Sequence, residues 1–297
     1  MMLAIFASIA ALFVAAERLA PARDQPVFRR GFAADLAYVP VHFLMRVVIN
    51  GTVAVALAEV GRRVLPPWTV ATLADRPVWL QALVLLVVLD LFFYVMHRLK
   101  HRWGWWWRLH ETHHSSVDLD WLASARFHPL EKILDRTVYL LPLTAIGPSD
   151  QAVLVWAAVD AFFGMLIHAN VRWRIGPLIY VFVGPEMHRW HHAMEQTRRE
   201  CNFGNNFSIF DWIFGTAYLP REEPARFGVD DPAYPVGSLV AQFFYAFRPA
   251  SASPAPASPG LPLPPPEPVS ARGRRRSSAE AGPRQGGGAN ATPETGH

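Results

Sequence analysis

Cysteine is almost absent from this 297-residue chain; Cys201 is the only one. A single thiol excludes an internal disulfide framework, a four-cysteine zinc site and a self-contained iron–sulfur cluster. Lysine is nearly as scarce: Lys100 and Lys132 are the only two, and the remaining basic charge is arginine. Charged residues make up 18% of the chain and the formal net charge is +4, too little to argue for a nucleic-acid partner. No basic residue precedes the apolar run 2–16, as a signal peptide would require, and no long internal repeat is present.

Apolar residues are abundant, at 52% of the chain, which exceeds an ordinary soluble domain. They fall in runs. Residues 2–16 read as a retained transmembrane helix, with Arg18, Arg23, Arg29 and Arg30 following it on the cytoplasmic side. A second stretch covers 34–60, and 78–96 is the clearest span, since about twenty residues cross a bilayer. Runs 137–147 and 151–167 are split by Gly147-Pro148 and read equally as spans or as a re-entrant hairpin; 178–183 is too short to cross. Counting crossings puts 61–77 outside and the segment 97–136 inside. From residue 250 the sequence turns to Pro, Ala, Ser, Gly and Arg, a composition that cannot bury a core and reads as a disordered tail. The expected organisation is therefore N-terminal helices over 1–77, a catalytic domain over 78–220, an extension over 221–249 and the tail over 250–297. The arginine, alanine and proline bias suggests a bacterial source, which would make the host membrane the inner one.

Histidine carries the chemistry. Ten of the twelve histidines lie between His97 and His192. They include an HxxxH, His97 to His101, and two HxxHH clusters, His110-Glu-Thr-His113-His114 and His188-Arg-Trp-His191-His192. On a helix, residues three and four apart share a face, so each cluster is the rim of a metal pocket. Eight imidazoles exceed what one ion takes, so ligand number argues for two metals. Imidazole suits zinc, copper, iron and nickel alike, but a redox-active pair can activate O2 and zinc cannot, which favours iron. His128 and His168 are expected to complete the ligand set. Asp90, in the last third of the 78–96 span, shares a helical face with Tyr94, His97 and His101. A carboxylate at that depth is expected to be functional, holding the free ring N–H of a ligating histidine, with Tyr94 on the same wall. Asp160 stands two turns before His168 in a similar arrangement. Trp103, Trp105, Trp106, Trp107 and Trp190 flank the clusters as an interfacial belt. His42 and His297 are read as ordinary satisfied histidines, Cys201 as a loop thiol.

Over roughly residues 80–220 the chain resembles the fatty acid hydroxylase superfamily, which includes sterol desaturases and C-4 methyl sterol oxidases. The resemblance rests on Asp90, Tyr94, the three histidine clusters, Phe127-His128-Pro129-Leu130-Glu131, Asn202-Phe203-Gly204 and Asp211 with Phe214-Gly215-Thr216, in that order. It implies an all-α, polytopic membrane bundle with a cytoplasm-facing di-iron site held by His97, His101, His110, His113, His114, His188, His191 and His192, with His168 and His128 as further ligands. Some members carry a second histidine four residues before the one at 168; here that position is Gly164. The resemblance also implies O2 as co-substrate, a membrane lipid as substrate (sterol, fatty acyl chain, ether lipid or other isoprenoid), and hydroxylation or desaturation as the reaction. Several members fuse a cytochrome b5 domain with a His-Pro-Gly-Gly; the His-Pro at 128–129 continues Leu-Glu instead. Electrons are then expected from a separate ferredoxin, cytochrome b5-like protein or reductase.

Three other readings compete. A membrane metal transporter would place its ligands near the bilayer midplane, whereas these clusters follow the spans. A zinc-dependent membrane hydrolase would use an HExxH-like pair with a general-base glutamate; Glu111 and Glu186 lie close to histidines, and neither is read as making that motif. A catalytically dead scaffold would not be expected to keep the full ligand set.

Overall fold

The computed structural model describes residues 2–45, 73–194 and 200–249. The part of the second apolar stretch beyond residue 45, most of the 61–77 loop, and the tail with His297 lie outside the described residues. The described chain is helical: α1 Met2–Leu19, α2 Phe32–Met45, α3 Val78–Arg102, α4 Gly104–His114, α5 Pro129–Ile146, α6 Asp150–His168, α7 Pro185–His191, α8 Ile209–Ile213 and α9 Leu239–Tyr245. Among the described residues, β pairing amounts to three isolated bridges.

Local sequence sets the helix ends. Pro77 precedes α3, whose interior has neither glycine nor proline, and the extended backbone of Trp103 then breaks it from α4. His128 caps α5, with Pro129 in the first turn where its missing N–H costs nothing. Gly147 closes α5 at φ 58°, the left-handed C-terminal geometry that glycine adopts without strain. Ser149 then caps α6 by accepting from the Ala152 N–H. The run 137–147 is thus the second half of one helix, with Pro142 inside it, and 151–167 is a separate helix.

The helices α3, α5 and α6 pack around Leu85, Leu89 and Ala152, with Tyr139, Leu143 and Trp156 against them. Phe13 and Ala16 of α1 pack on Met165 at the C-terminal end of α6. Among the described residues two helices, α3 and α6, are long and apolar enough to cross a membrane. Only 33% of the most apolar window of α3 and 22% of that of α6 is buried. The rest, including Trp79, Leu83, Val87 and Leu154, turns apolar side chains outward. Water would penalise such a surface and hydrocarbon would not. The remainder of the 34–60 stretch, which the sequence count includes as a crossing, lies outside the described residues.

Candidate metal centre

The HxxxH lies in the last two turns of α3, the first HxxHH ends α4, the second closes α7, and His168 ends α6. All nine of these histidines are buried, and their ring nitrogens gather into two groups. His97, His101, His110, His114 and His191 form the first; His113, His168, His188 and His192 form the second. Within each group the ligand atoms lie within 4.8 Å of one another.

Each HxxHH is divided between the groups. In α4 the i and i+4 residues, His110 and His114, serve the first group and His113 the second; at α7 His188 and His192 serve the second and His191 the first. Adjacent residues on a helix point about 100° apart, which is what allows the split. The two dividing pairs have almost the same spacing: ring centroids are 5.5 Å apart for His113 and His114 and 5.4 Å apart for His191 and His192.

Ring tautomers follow from what each second nitrogen meets. His97 Nδ1 donates to the Phe203 carbonyl at 2.8 Å and His191 Nδ1 to the Cys201 carbonyl at 2.8 Å. His110 Nδ1 donates to Glu131 Oε1 at 2.8 Å. In the second group, His113 Nδ1 donates to the Arg126 carbonyl at 3.1 Å and His168 Nδ1 to the Gly164 carbonyl at 2.6 Å. A carbonyl or carboxylate oxygen can only accept, so each of these Nδ1 atoms holds the proton and each Nε2 presents a lone pair. Yet His97 Nε2 and His110 Nε2 are 3.0 Å apart, and His113 Nε2 and His168 Nε2 are 3.2 Å apart. One pair of lone pairs in each group therefore faces another with no proton between them, which a shared cation resolves.

The spacing also fits shared metal ligation. For nitrogen ligands about 2.1 Å from a metal, neighbours at right angles stand about 3.0 Å apart and neighbours at the tetrahedral angle about 3.4 Å. The close Nε2 pairs, which include His110–His114, His168–His188 and His188–His192, measure 3.0 to 3.2 Å. Nitrogens this close can share one ion in each group. Burial, reinforced by neighbouring histidines, pushes His110, His113, His114, His188 and His192 well below the ordinary histidine range. Burial likewise takes His191 down to about 4. The rings are thus neutral, the form that binds a metal.

Several expected residues stand elsewhere. His128 joins neither group: its Nδ1 accepts from the Leu130 N–H at 3.1 Å and its Nε2 donates to the Phe243 carbonyl at 3.1 Å, so both nitrogens are used in capping and docking α5. Asp90 holds no histidine. It accepts from the backbone N–H groups of Asn206 and Phe207 at 2.9 and 2.8 Å and from the Asn206 side chain. Asp160 likewise accepts from Asn205 and Asn206 rather than serving His168. The hydroxyl of Tyr94 meets Thr216 at 2.8 Å, and Thr216 donates to Asp211. Asp211 also accepts from the N–H groups of Phe203 and Gly204 at 2.8 and 2.9 Å. These carboxylates therefore act one step out: they pin the loop 201–207, and its carbonyls at 201 and 203 hold His191 and His97. Of the tryptophans, Trp103 and Trp105 are exposed, whereas Trp106, Trp107 and Trp190 are buried, so only two suit an interfacial belt.

Residues 110–114, His-Glu-Thr-His-His, do have the HExxH spacing of zinc hydrolases. Glu111 is nevertheless bound to Arg248, with Nη2 donating at 3.1 Å, and belongs to neither group. It braces α4 against the segment after α9.

The chief omission from the sequence reading is Glu131. It is fully buried, accepts from His110 and from Lys100 at 2.8 Å, and Lys100 also donates to Asp135 at 2.7 Å. Its signal in the sequence is the segment Phe127-His-Pro-Leu-Glu131. Arg126, whose carbonyl holds His113, is fixed by a buried network: its guanidinium binds Asp35, Ser115 and the carbonyls of Gly31 and Val236. Arg29 joins Asp35 to Asp120.

Residues 82–216 match the fatty acid hydroxylase family, a window that contains all nine histidines together with Asp90, Glu131 and Asp211. The ornithine lipid hydroxylase OlsE of Rhizobium tropici is 35% identical over 144 residues, 48% of this chain and 44% of that protein. The alkylglycerol monooxygenase of Xenopus tropicalis is 30% identical over 166 residues, 56% of this chain and 35% of that protein. Methylsterol monooxygenase 2-2 of Arabidopsis thaliana is 25% identical over 154 residues, 51% of this chain and 55% of that protein. The matched segment thus spans less than half the length of the first two relatives. No solved structure matches.

Proposed function

Residues 82–216 are a fatty acid hydroxylase domain, and from that premise we propose that the protein is a membrane oxidoreductase that uses two iron ions and O2 to hydroxylate or desaturate a C–H bond of a lipid. The observation that carries the reading is the pair of facing Nε2 lone pairs, one pair in each histidine group. The relatives named for lipid hydroxylation and monooxygenation support the chemistry.

Iron bound at the two groups would supply oxygen activation. The residues themselves do the rest. Glu131 and the carbonyls of Phe203, Cys201, Arg126 and Gly164 hold five rings with Nε2 turned inward. Such outer hydrogen bonds fix ring orientation and raise ligand basicity. Burial of all nine rings keeps bulk water from the centre. The outward apolar faces of α3 and α6 suit a protein embedded where its substrate dissolves. We place the centre on the cytoplasmic side, within reach of a separate electron donor such as a ferredoxin or reductase.

Anaerobic metal analysis with Mössbauer spectroscopy on iron-57-grown, detergent-purified protein tests the reading. Two antiferromagnetically coupled irons per chain, lost in His110→Ala, are expected. Stoichiometric zinc with no bound iron, even after anaerobic iron reconstitution, would overturn it in favour of hydrolysis or metal transport.

A further inference from the structure

Both lysines of this arginine-dominated chain stand at the metal centre, and their surroundings differ. Lys100 is neutralised by Glu131 at 2.8 Å and Asp135 at 2.7 Å. The Lys132 ammonium has no carboxylate within ion-pair distance among the described residues. It lies 3.3 Å from the ring centroid of Phe127. The same ring stacks on His113 of the second group, with centroids 4.1 Å apart and planes 10° from parallel. Two groups cannot share one face of a ring at such distances, so Phe127 is sandwiched between a metal-site imidazole and a positive charge.

Lys132 is partly exposed, unlike its neighbour Glu131 and unlike Lys100. An ammonium partly withdrawn from water, with an aromatic face as its close contact and Asp135 and Glu131 acting on it only from beyond ion-pair distance, is under-satisfied. Loading two cations nearby increases the local positive charge, and an anion is what would relieve it. Glu131 and Asp135 act on Lys132 at longer range, but their short contacts go to Lys100, which leaves the direct position on Lys132 open to an added anion.

We propose that Lys132 is the specificity-determining residue of the site, pairing with a carboxylate or phosphate on the lipid substrate and so selecting an anionic lipid over a neutral one. The inference rests on the lipid-oxidation reading and deepens it. The anionic group would sit one aromatic ring from the second histidine group, which places the oxidised carbon on the headgroup side of the chain rather than at its far end.

The test uses the full chain, metal-loaded, in nanodiscs of neutral phospholipid. Binding of 16-doxylstearate and of its methyl ester, which differ in charge but share a chain, is followed by quenching of tryptophan fluorescence. The wild type is expected to bind the acid about tenfold more tightly than the ester, the scale of one charge-assisted contact. Lys132→Gln is expected to bring that ratio close to one with ester affinity unchanged, and Lys132→Arg to preserve it. An unchanged ratio in Lys132→Gln overturns the proposal, as does an equal loss of both ligands, which marks a structural role. Displacement of the acid by acetate at matched concentration also overturns it, by assigning the site to small free anions. Metal content is measured on the same samples. A chain without iron that keeps the charge preference would refute the oxygenase reading and leave this inference standing.

Discussion

Asp90 and Asp160, on different helices, share the side-chain amide of Asn206, accepting from it at 3.0 and 3.1 Å. The two carboxylates thereby tie α3 and α6 to the loop whose carbonyls orient His97 and His191. Asp90→Leu leaves two buried backbone N–H groups without an acceptor, each costing about 1–3 kcal/mol. We expect a clear drop in melting temperature and weaker occupancy of the first metal position, read by scanning fluorimetry and metal analysis. Asp90→Leu protein with wild-type melting and full metal would refute the link.

Glu131→Gln keeps size but removes the charge that both His110 and Lys100 use. Loss of such an outer partner typically lowers metal affinity about 10- to 100-fold. Competition with a chelator of known affinity measures it; an unchanged affinity would show that Glu131 only balances Lys100.

His128→Asn should leave two metals per chain, whereas His168→Ala should lose one. The asparagine can still cap α5, so the stability cost of His128→Asn should stay near or below about 1 kcal/mol, the scale of a cap. Metal counting on the two variants side by side decides the matter, and a metal lost from His128→Asn would restore that residue to the ligand set.

The metal-free protein should be acid-sensitive. In the unfolded chain, histidines take up protons near pH 6.5. In the folded apo protein burial holds His110, His113, His114, His188 and His192 well below that value, and His191 at about 4. The unfolded state therefore binds more protons below pH 6.5, and stability rises with pH through that window. The melting temperature of chelator-stripped protein should be flat above about pH 7 and fall as pH drops from 6.5 toward 4. Metal should flatten the curve, because it occupies the nitrogens that would protonate. A stripped protein whose melting is the same at pH 7 and pH 5 would contradict this.

The histidines were legible because helix periodicity converts spacing into a shared face, and HxxxH and HxxHH need no tertiary knowledge to be seen. The assignment of His113 and His191 to the group opposite their helical neighbours was not legible, since it depends on how α4 and α7 approach. Asp90 illustrates a second limit. A carboxylate on the face of a ligand-bearing helix is conspicuous in sequence, but its acceptors point where the loop at 205–207 happens to pass, and that loop comes from residues more than a hundred positions away. Glu131 and the four backbone carbonyls follow the same rule. Carbonyls leave no trace in side-chain identity, so most of the shell that orients the rings is invisible until the chain is folded.

The matched 5.5 and 5.4 Å offsets of His113–His114 and His191–His192 mean that peptide geometry sets the two histidine groups apart at both HxxHH segments, so ions held there would be spaced by the backbone. The backbone of two short helices works as a ruler, and one deleted residue in either would displace histidines of both groups at once.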